Sequence, residues 1–134
     1  MKLDRGSRMQ RWAEFDGVRR LGHSRGGLYL VIGVLRDESL GLGRKFGFIT
    51  SKKAHRHAVK RNRMRRQFRE IIRKHGDQLP GGIRLVVIAR WKAADADFAS
   101  IEKDWLKVVK RMGLLTGVGS EGQAEREFRK GKGR

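Results

Sequence analysis

The sequence contains no cysteine, which excludes disulfide bridges and thiolate metal sites and suits a reducing compartment. No stretch approaches the roughly 18 apolar residues that a membrane-spanning helix needs. The opening segment, Met1 to Gln10, is charged and lacks the apolar run of a signal peptide. These absences lead us to expect a soluble cytoplasmic protein with no membrane partner. Proline occurs once, at Pro80, inside the turn Leu79-Pro80-Gly81-Gly82. Acidic residues are also scarce: 14 Asp and Glu stand against 33 Lys and Arg, for a formal net charge of +19. Self-repulsion on that scale destabilises a compact chain unless a polyanion neutralises it. Nucleic acid and an anionic membrane surface are the candidates.

The 134 residues suit one domain, and a 38% hydrophobic content supports a small core. Met9, Trp12, Ala13, Phe15 and Val18 fall mostly at helical spacing, with Gly17 and Gly22 bracketing the end of that helix. Leu28 to Leu35 is an almost continuous apolar run that reads as a buried strand. After the turn at Gly41-Leu42-Gly43, Lys45 to Thr50 reads as a second strand, and the short link predicts an antiparallel pair. A long helix follows from about His57 to His75, closed by Gly76. Ile83 to Ala89 is the third clear strand. Asp95 or Asp97 then caps a helix carrying the stripe Phe98, Ile101, Trp105, Val108 and Met112.

An extra short strand is possible near Arg19 to Arg25. The order predicts an α/β (α+β) two-layer sandwich, with helices packed against one small mixed sheet. Residues 1–7 are expected to form a flexible N-terminus, 8–114 the folded domain and 115–134 a disordered basic tail.

Lys52 to Lys74 holds eleven basic residues and one acid, Glu70. On an ideal helix Met64, Phe68, Ile71 and Ile72 form an apolar face, while Asn62, Arg65, Arg66, Arg69 and Arg73 lie together outward. Like charges at these spacings repel by a few tenths of a kcal/mol per pair, roughly, so a helix built only for stability would alternate signs. A guanidinium grips phosphate bidentately or stacks on a base, and Asn62 can hydrogen-bond a base edge or a 2′-hydroxyl. The stripe therefore suits a structured RNA or a duplex backbone; a merely solvated basic face is the competing reading. Arg61 falls toward the core side of an ideal helix, so a distorted helix start is expected there.

No catalytic set emerges. His55-x-His57 could offer two metal ligands, but no Cys or nearby carboxylate completes a site, and a phosphate-facing His is the alternative. Asp95-x-Asp97 is explained by helix capping. Gly41 to Lys45 lacks the spacing of a phosphate-binding loop. Trp12, Trp91 and Trp105 read as core or rim packing, with Trp91 the most exposed candidate for a base platform.

The run Arg61-Asn62-Arg63-Met64-Arg65-Arg66-Gln67-Phe68-Arg69-Glu70 resembles the protein component of bacterial ribonuclease P, which carries Arg-Asn-x-x-(Lys/Arg)-Arg-x-x-Arg-Glu. Gly47 to Lys53 resembles the family's strand ending in a Lys-Lys pair, and seven residues then lead to Arg61. Arg8-Met9 followed by Phe15 and Val18 is similar to its opening helix, and Leu79-Pro80, Val86 to Ala89 and Trp105-Leu106 follow its pattern in order. The resemblance covers about Arg8 to Gly113. It implies a ribosomal S5 domain 2-like fold with a left-handed βαβ crossover around the arginine helix.

The resemblance further implies a non-catalytic subunit, one per RNA, of a ribonucleoprotein endonuclease that removes the 5′ leader of precursor tRNA. The partner RNA would be the catalyst and would hold the Mg²⁺, with no cofactor bound by the protein alone. RNA binding would fall to Lys52, Lys53, Arg56, Lys60, Arg61, Asn62, Arg63, Arg65, Arg66, Arg69 and Arg73. A cleft holding the leader would be lined by Phe15, Arg19, Phe48 and Lys52. The chain departs from the family there: the usual second aromatic of the first helix is Arg19, and a frequent strand tyrosine falls at Gly33, with Tyr29 nearby. A ribosomal-type RNA-binding protein and an intrinsic nuclease are the alternatives from other classes.

Overall fold

The computed structural model describes residue 9 and residues 12–115. The predicted flexible N-terminus and nearly all of the predicted tail lie outside the described residues. Three helices, α1 (Trp12–Leu21), α2 (Ala58–His75) and α3 (Phe98–Arg111), accompany four strands, β1 (His23–Gly26), β2 (Leu30–Arg36), β3 (Arg44–Ile49) and β4 (Ile83–Ala89). The strands form one mixed sheet in the order β1-β2-β4-β3.

β4 occupies the place that a β2–β3 hairpin would need. It pairs antiparallel with β2, from Leu30↔Ala89 to Arg36↔Ile83, and parallel with β3, from Arg44↔Ile83 to Ile49↔Ile88. The predicted antiparallel pairing of Leu28–Leu35 with Lys45–Thr50 is therefore corrected. The reason lies in the link. Asp37 N–H donates to the Gly82 carbonyl at 2.7 Å and Gly82 N–H to the Gly43 carbonyl at 2.8 Å, so segment 37–43 clasps the entry to β4. β4 is also apolar on both faces, which suits a central strand, whereas β3 opens with Arg44 and Lys45 and takes the edge.

Alternation divides the sheet into two faces. Leu30, Ile32, Val34, Phe46, Ile83, Leu85 and Val87 meet Met64, Phe68, Ile71 and Ile72 of α2 and Ile101, Trp105, Val108 and Val109 of α3 in the main core. This is the predicted two-layer sandwich. On the other face α1 adds a smaller layer, in which Val18 and Phe15 pack with Val86, Leu35, Ile49 and Ile88. The apolar side of α2 is the one its spacing predicted, and its boundary differs by one residue. Gly76 follows the helix in a right-handed conformation, φ −59°, and carries the chain into a further tight turn rather than a left-handed cap. Asp97 caps α3 by accepting the Ser100 N–H. Leu115, assigned to the tail, packs against the main core.

One buried carboxylate joins distant parts of the chain. Asp104 of α3 accepts the N–H groups of Leu28 and Tyr29, at 3.0 and 2.9 Å, and so holds the turn between β1 and β2. Tyr29 packs on the main core from that turn.

Candidate nucleic-acid interface

The cations of α2 divide into two groups by what they touch. Arg61 closes the first turn of a regular helix, its N–H bonded to the His57 carbonyl at 3.1 Å. Its guanidinium donates to the carbonyls of His55 at 3.0 Å and Arg56 at 2.8 Å. The distorted helix start expected at Arg61 is absent. Its core-side direction is accommodated because the preceding loop folds back to offer those carbonyls. Arg63 donates to the carbonyls of Ala94 and Ala96, at 2.9 and 3.2 Å, and Lys60 pairs with Asp95 at 2.7 Å. The Lys60 ammonium holds the Asp95 carboxyl below the usual carboxylate range. Lys60, Arg61 and Arg63 thus tie α2 to the segments beside it.

The second group faces outward. Asn62, Arg65, Arg66 and Arg73 are exposed and Arg69 is half-buried, with no hydrogen-bond partner at its Nε. Arg73 contacts Glu70 at 3.3 Å. Lys52, Lys53 and Arg56, all exposed, extend this positive surface along the loop before α2. Within that loop His57 N–H donates to His55 Nδ1 at 3.0 Å, so one predicted ligand nitrogen already serves the turn.

A cleft of about 640 Å³ opens on the α1 face of the sheet. Phe15, Arg19 and Phe48 line it as anticipated, whereas Lys52 is not part of its wall. Residues 50 and 51 end the wall as the chain leaves the sheet, and Lys52 belongs to the loop beyond. Arg65 also lines the cleft, a link that helical periodicity could not show. One side chain therefore belongs to both the outward stripe and the cleft. Gly33 lies in the cleft wall and Tyr29 does not, so no tyrosine replaces the missing ring.

Phe15 lies against Gly47: a Cβ there would stand 2.4 Å from Phe15 Cε1. Glycine at this sheet position lets the aromatic ring settle on bare backbone. Gly47→Val should displace the Phe15 ring and destabilise the fold by about 1–3 kcal/mol. Urea denaturation checks the stability loss. Wild-type stability would show that the ring's seat does not depend on Gly47.

Asp16, the only carboxylate in the cleft wall among the described residues, bonds Arg19 at 2.9 Å and lies 3.6 Å from Arg20. A carboxylate already paired with guanidinium is a poor start for a divalent metal site. Among the described residues no group of three His, Asp or Glu side chains converges on a point. No described helix is long and apolar enough to cross a membrane.

Residues 3–113 match the family model Ribonuclease P. The chain belongs to the ribonuclease P protein family. It is 34% identical over 113 residues to the ribonuclease P protein component of Syntrophomonas wolfei, covering 84% of this chain and 92% of that protein. The Desulforamulus reducens protein component is 41% identical over 91 residues, 68% of this chain and 78% of its own. Among solved structures, the Staphylococcus aureus RNase P protein superposes with a TM-score of 0.71 at 27% identity, covering 78% of this chain and 93% of that one. The Thermotoga maritima RNase P protein gives 0.67 at 27% identity over 78% and 96% of the two chains. The run Arg61 to Glu70 thus holds both outward residues, Asn62, Arg65, Arg66 and Arg69, and the inward ties of Arg61 and Arg63.

Proposed function

We propose that this chain is the protein subunit of ribonuclease P, binding the catalytic RNA through the outward stripe of α2 and the 5′ leader of precursor tRNA in the cleft. The observation that carries the reading is Arg65, shared by stripe and cleft in a chain of this family. An RNA held along Asn62, Arg65, Arg66, Arg69 and Arg73 would bring its substrate to the cleft mouth. Lys52, Lys53 and Arg56 would add phosphate contacts from the adjoining loop, while Lys60, Arg61 and Arg63 would set the helix in place.

The partner RNA would hold the Mg²⁺ that supports hydrolysis, a reading to which the described residues offer no competing cluster of His, Asp or Glu side chains. The protein's part is to position the leader and neutralise phosphate. In the cleft Phe15 would stack on a leader base, and Arg19 and Arg65 would supply charge where relatives use a second ring. We place the one-to-one complex in the cytoplasm.

Reconstitution tests the reading. Protein added to a ribonuclease P RNA at low Mg²⁺ should raise precursor tRNA cleavage and tighten binding of precursor over mature tRNA. No gain in either would overturn it, as would cleavage by the protein freed of RNA.

A further inference from the structure

The register places a second basic surface beside the first. β3 and β4 run parallel with Ile49 opposite Ile88, so the loops that follow them leave the same end of the sheet. One loop carries Lys52 and Lys53; the other carries Arg90, Trp91 and Lys92. Trp91 is 68% exposed, and Lys92 Nζ stands 5.7 Å from its ring centroid. The Arg90 guanidinium lies over Gly26 of the neighbouring hairpin, 2.4 Å from where a Cβ would stand.

A single exposed apolar residue ordinarily needs no explanation. Here the ring stands on a fixed base. Ala93 and Ala94, which follow it in the chain, are buried in the main core, Arg90 N–H bonds the Tyr29 carbonyl at 3.0 Å, and Ala93 N–H bonds the Arg90 carbonyl at 2.9 Å. Arg63 and Lys60 lash the same segment to α2 through Ala94, Ala96 and Asp95. An exposed aromatic ring on a tethered backbone segment, with one cation beside it and a second carried by the preceding residue, suits a nucleobase stacked on the ring and its phosphates on the cations. The nearby carboxylates are occupied: Asp95 by Lys60, Asp97 by the Ser100 N–H, and Asp104 by the hairpin N–H groups.

We propose that Trp91 is a stacking platform for an unpaired base of RNA, with Arg90 and Lys92 as its flanking cations. It extends the interface proposed for α2 and rests on that reading for its partner. Such a base would come from a single-stranded segment passing this end of the sheet.

The test uses the full chain and a short single-stranded oligouridylate, followed by anisotropy and tryptophan emission. Trp91→Ala should weaken binding by about tenfold or more, because loss of one stacked base carries that scale of effect. Trp91→Phe should keep most of the affinity. The salt dependence should be unchanged in both, since no phosphate contact is lost. A Trp91→Ala protein that melts at the wild-type temperature yet binds equally well would overturn the platform. So would a loss of affinity matched by a flatter salt dependence. Failure of the α2 reading would show separately, as no stimulation of a ribonuclease P RNA by the wild-type chain.

Discussion

Replacing Arg65, Arg66 and Arg69 together with alanine should flatten the salt dependence of RNA binding from a log–log slope of about −4 to about −2. The starting value assumes roughly five phosphate contacts, each releasing a little under one counterion, and the variant removes three of them. Affinity at low salt should fall by two orders of magnitude or more, roughly, at a charge-assisted bond's weight per contact. The fold should survive. Arg65 and Arg66 are exposed, and Arg69 makes no bond through its Nε. Relief of like-charge repulsion at i,i+3 and i,i+4 spacing offsets part of the packing lost with the Arg69 stem.

Arg63→Ala supplies the contrast: it should lower the melting temperature through the freed Ala94 and Ala96 carbonyls while changing the slope by less than one contact's worth. Titration of ribonuclease P RNA at several salt concentrations, with a thermal melt of each variant, reads both quantities. An unchanged slope in the triple variant would put the RNA on another surface.

That division between inward and outward arginines marks the limit of what the sequence could tell. Period and flanking residues specify local structure well. β4 has its predicted limits because Gly82 and Arg90 bound a continuous apolar run, and α2 shows its apolar face at helical spacing. The cap at Asp97 is equally local. Pairing is not local. Nothing in the short link before β3 shows that Gly82 will insert into it, so the β2–β3 hairpin was a reasonable expectation and the wrong one.

The same holds for the candidate site. Helical spacing identifies which arginines share a side. It does not show that Arg65 overlooks a cleft formed by α1 and the far face of the sheet, or that Arg61 meets its own preceding loop. Phe15, Arg19 and Phe48 were placed in one cleft by resemblance, and the structure brings those three together. Lys52, expected there as charge in place of the missing aromatic, lies in the loop beyond the wall residues Thr50 and Ser51.

Asp104 was the least legible residue, and its removal should be among the most damaging single changes. It reads as one more acid on a charged helix, yet the residue is only 9% exposed and its carboxylate accepts from two N–H groups more than seventy residues earlier in the chain. Asp104→Ala would leave the Leu28 and Tyr29 amides without their acceptor. Each such orphan costs about 1–3 kcal/mol when buried, and partial access of water to this turn brings the expected total to roughly 2–4 kcal/mol.

For a domain of this size that corresponds to a fall in melting temperature of roughly 10–20 °C. Asp104→Asn should recover only part of the loss, because one amide oxygen replaces two carboxylate oxygens and the NH₂ group opposes an N–H donor. Thermal and urea denaturation of the three proteins give the comparison. Stability of Asp104→Ala within about 0.5 kcal/mol of wild type would mean that water satisfies the turn as well as the carboxylate does. The damage should also reach the proposed base platform. Tyr29, fixed by Asp104, presents the carbonyl that holds Arg90, so loosening the hairpin loosens the loop that carries Trp91. Oligouridylate affinity should therefore fall in Asp104→Ala below its melting transition, while the outward arginines of α2 keep their salt dependence.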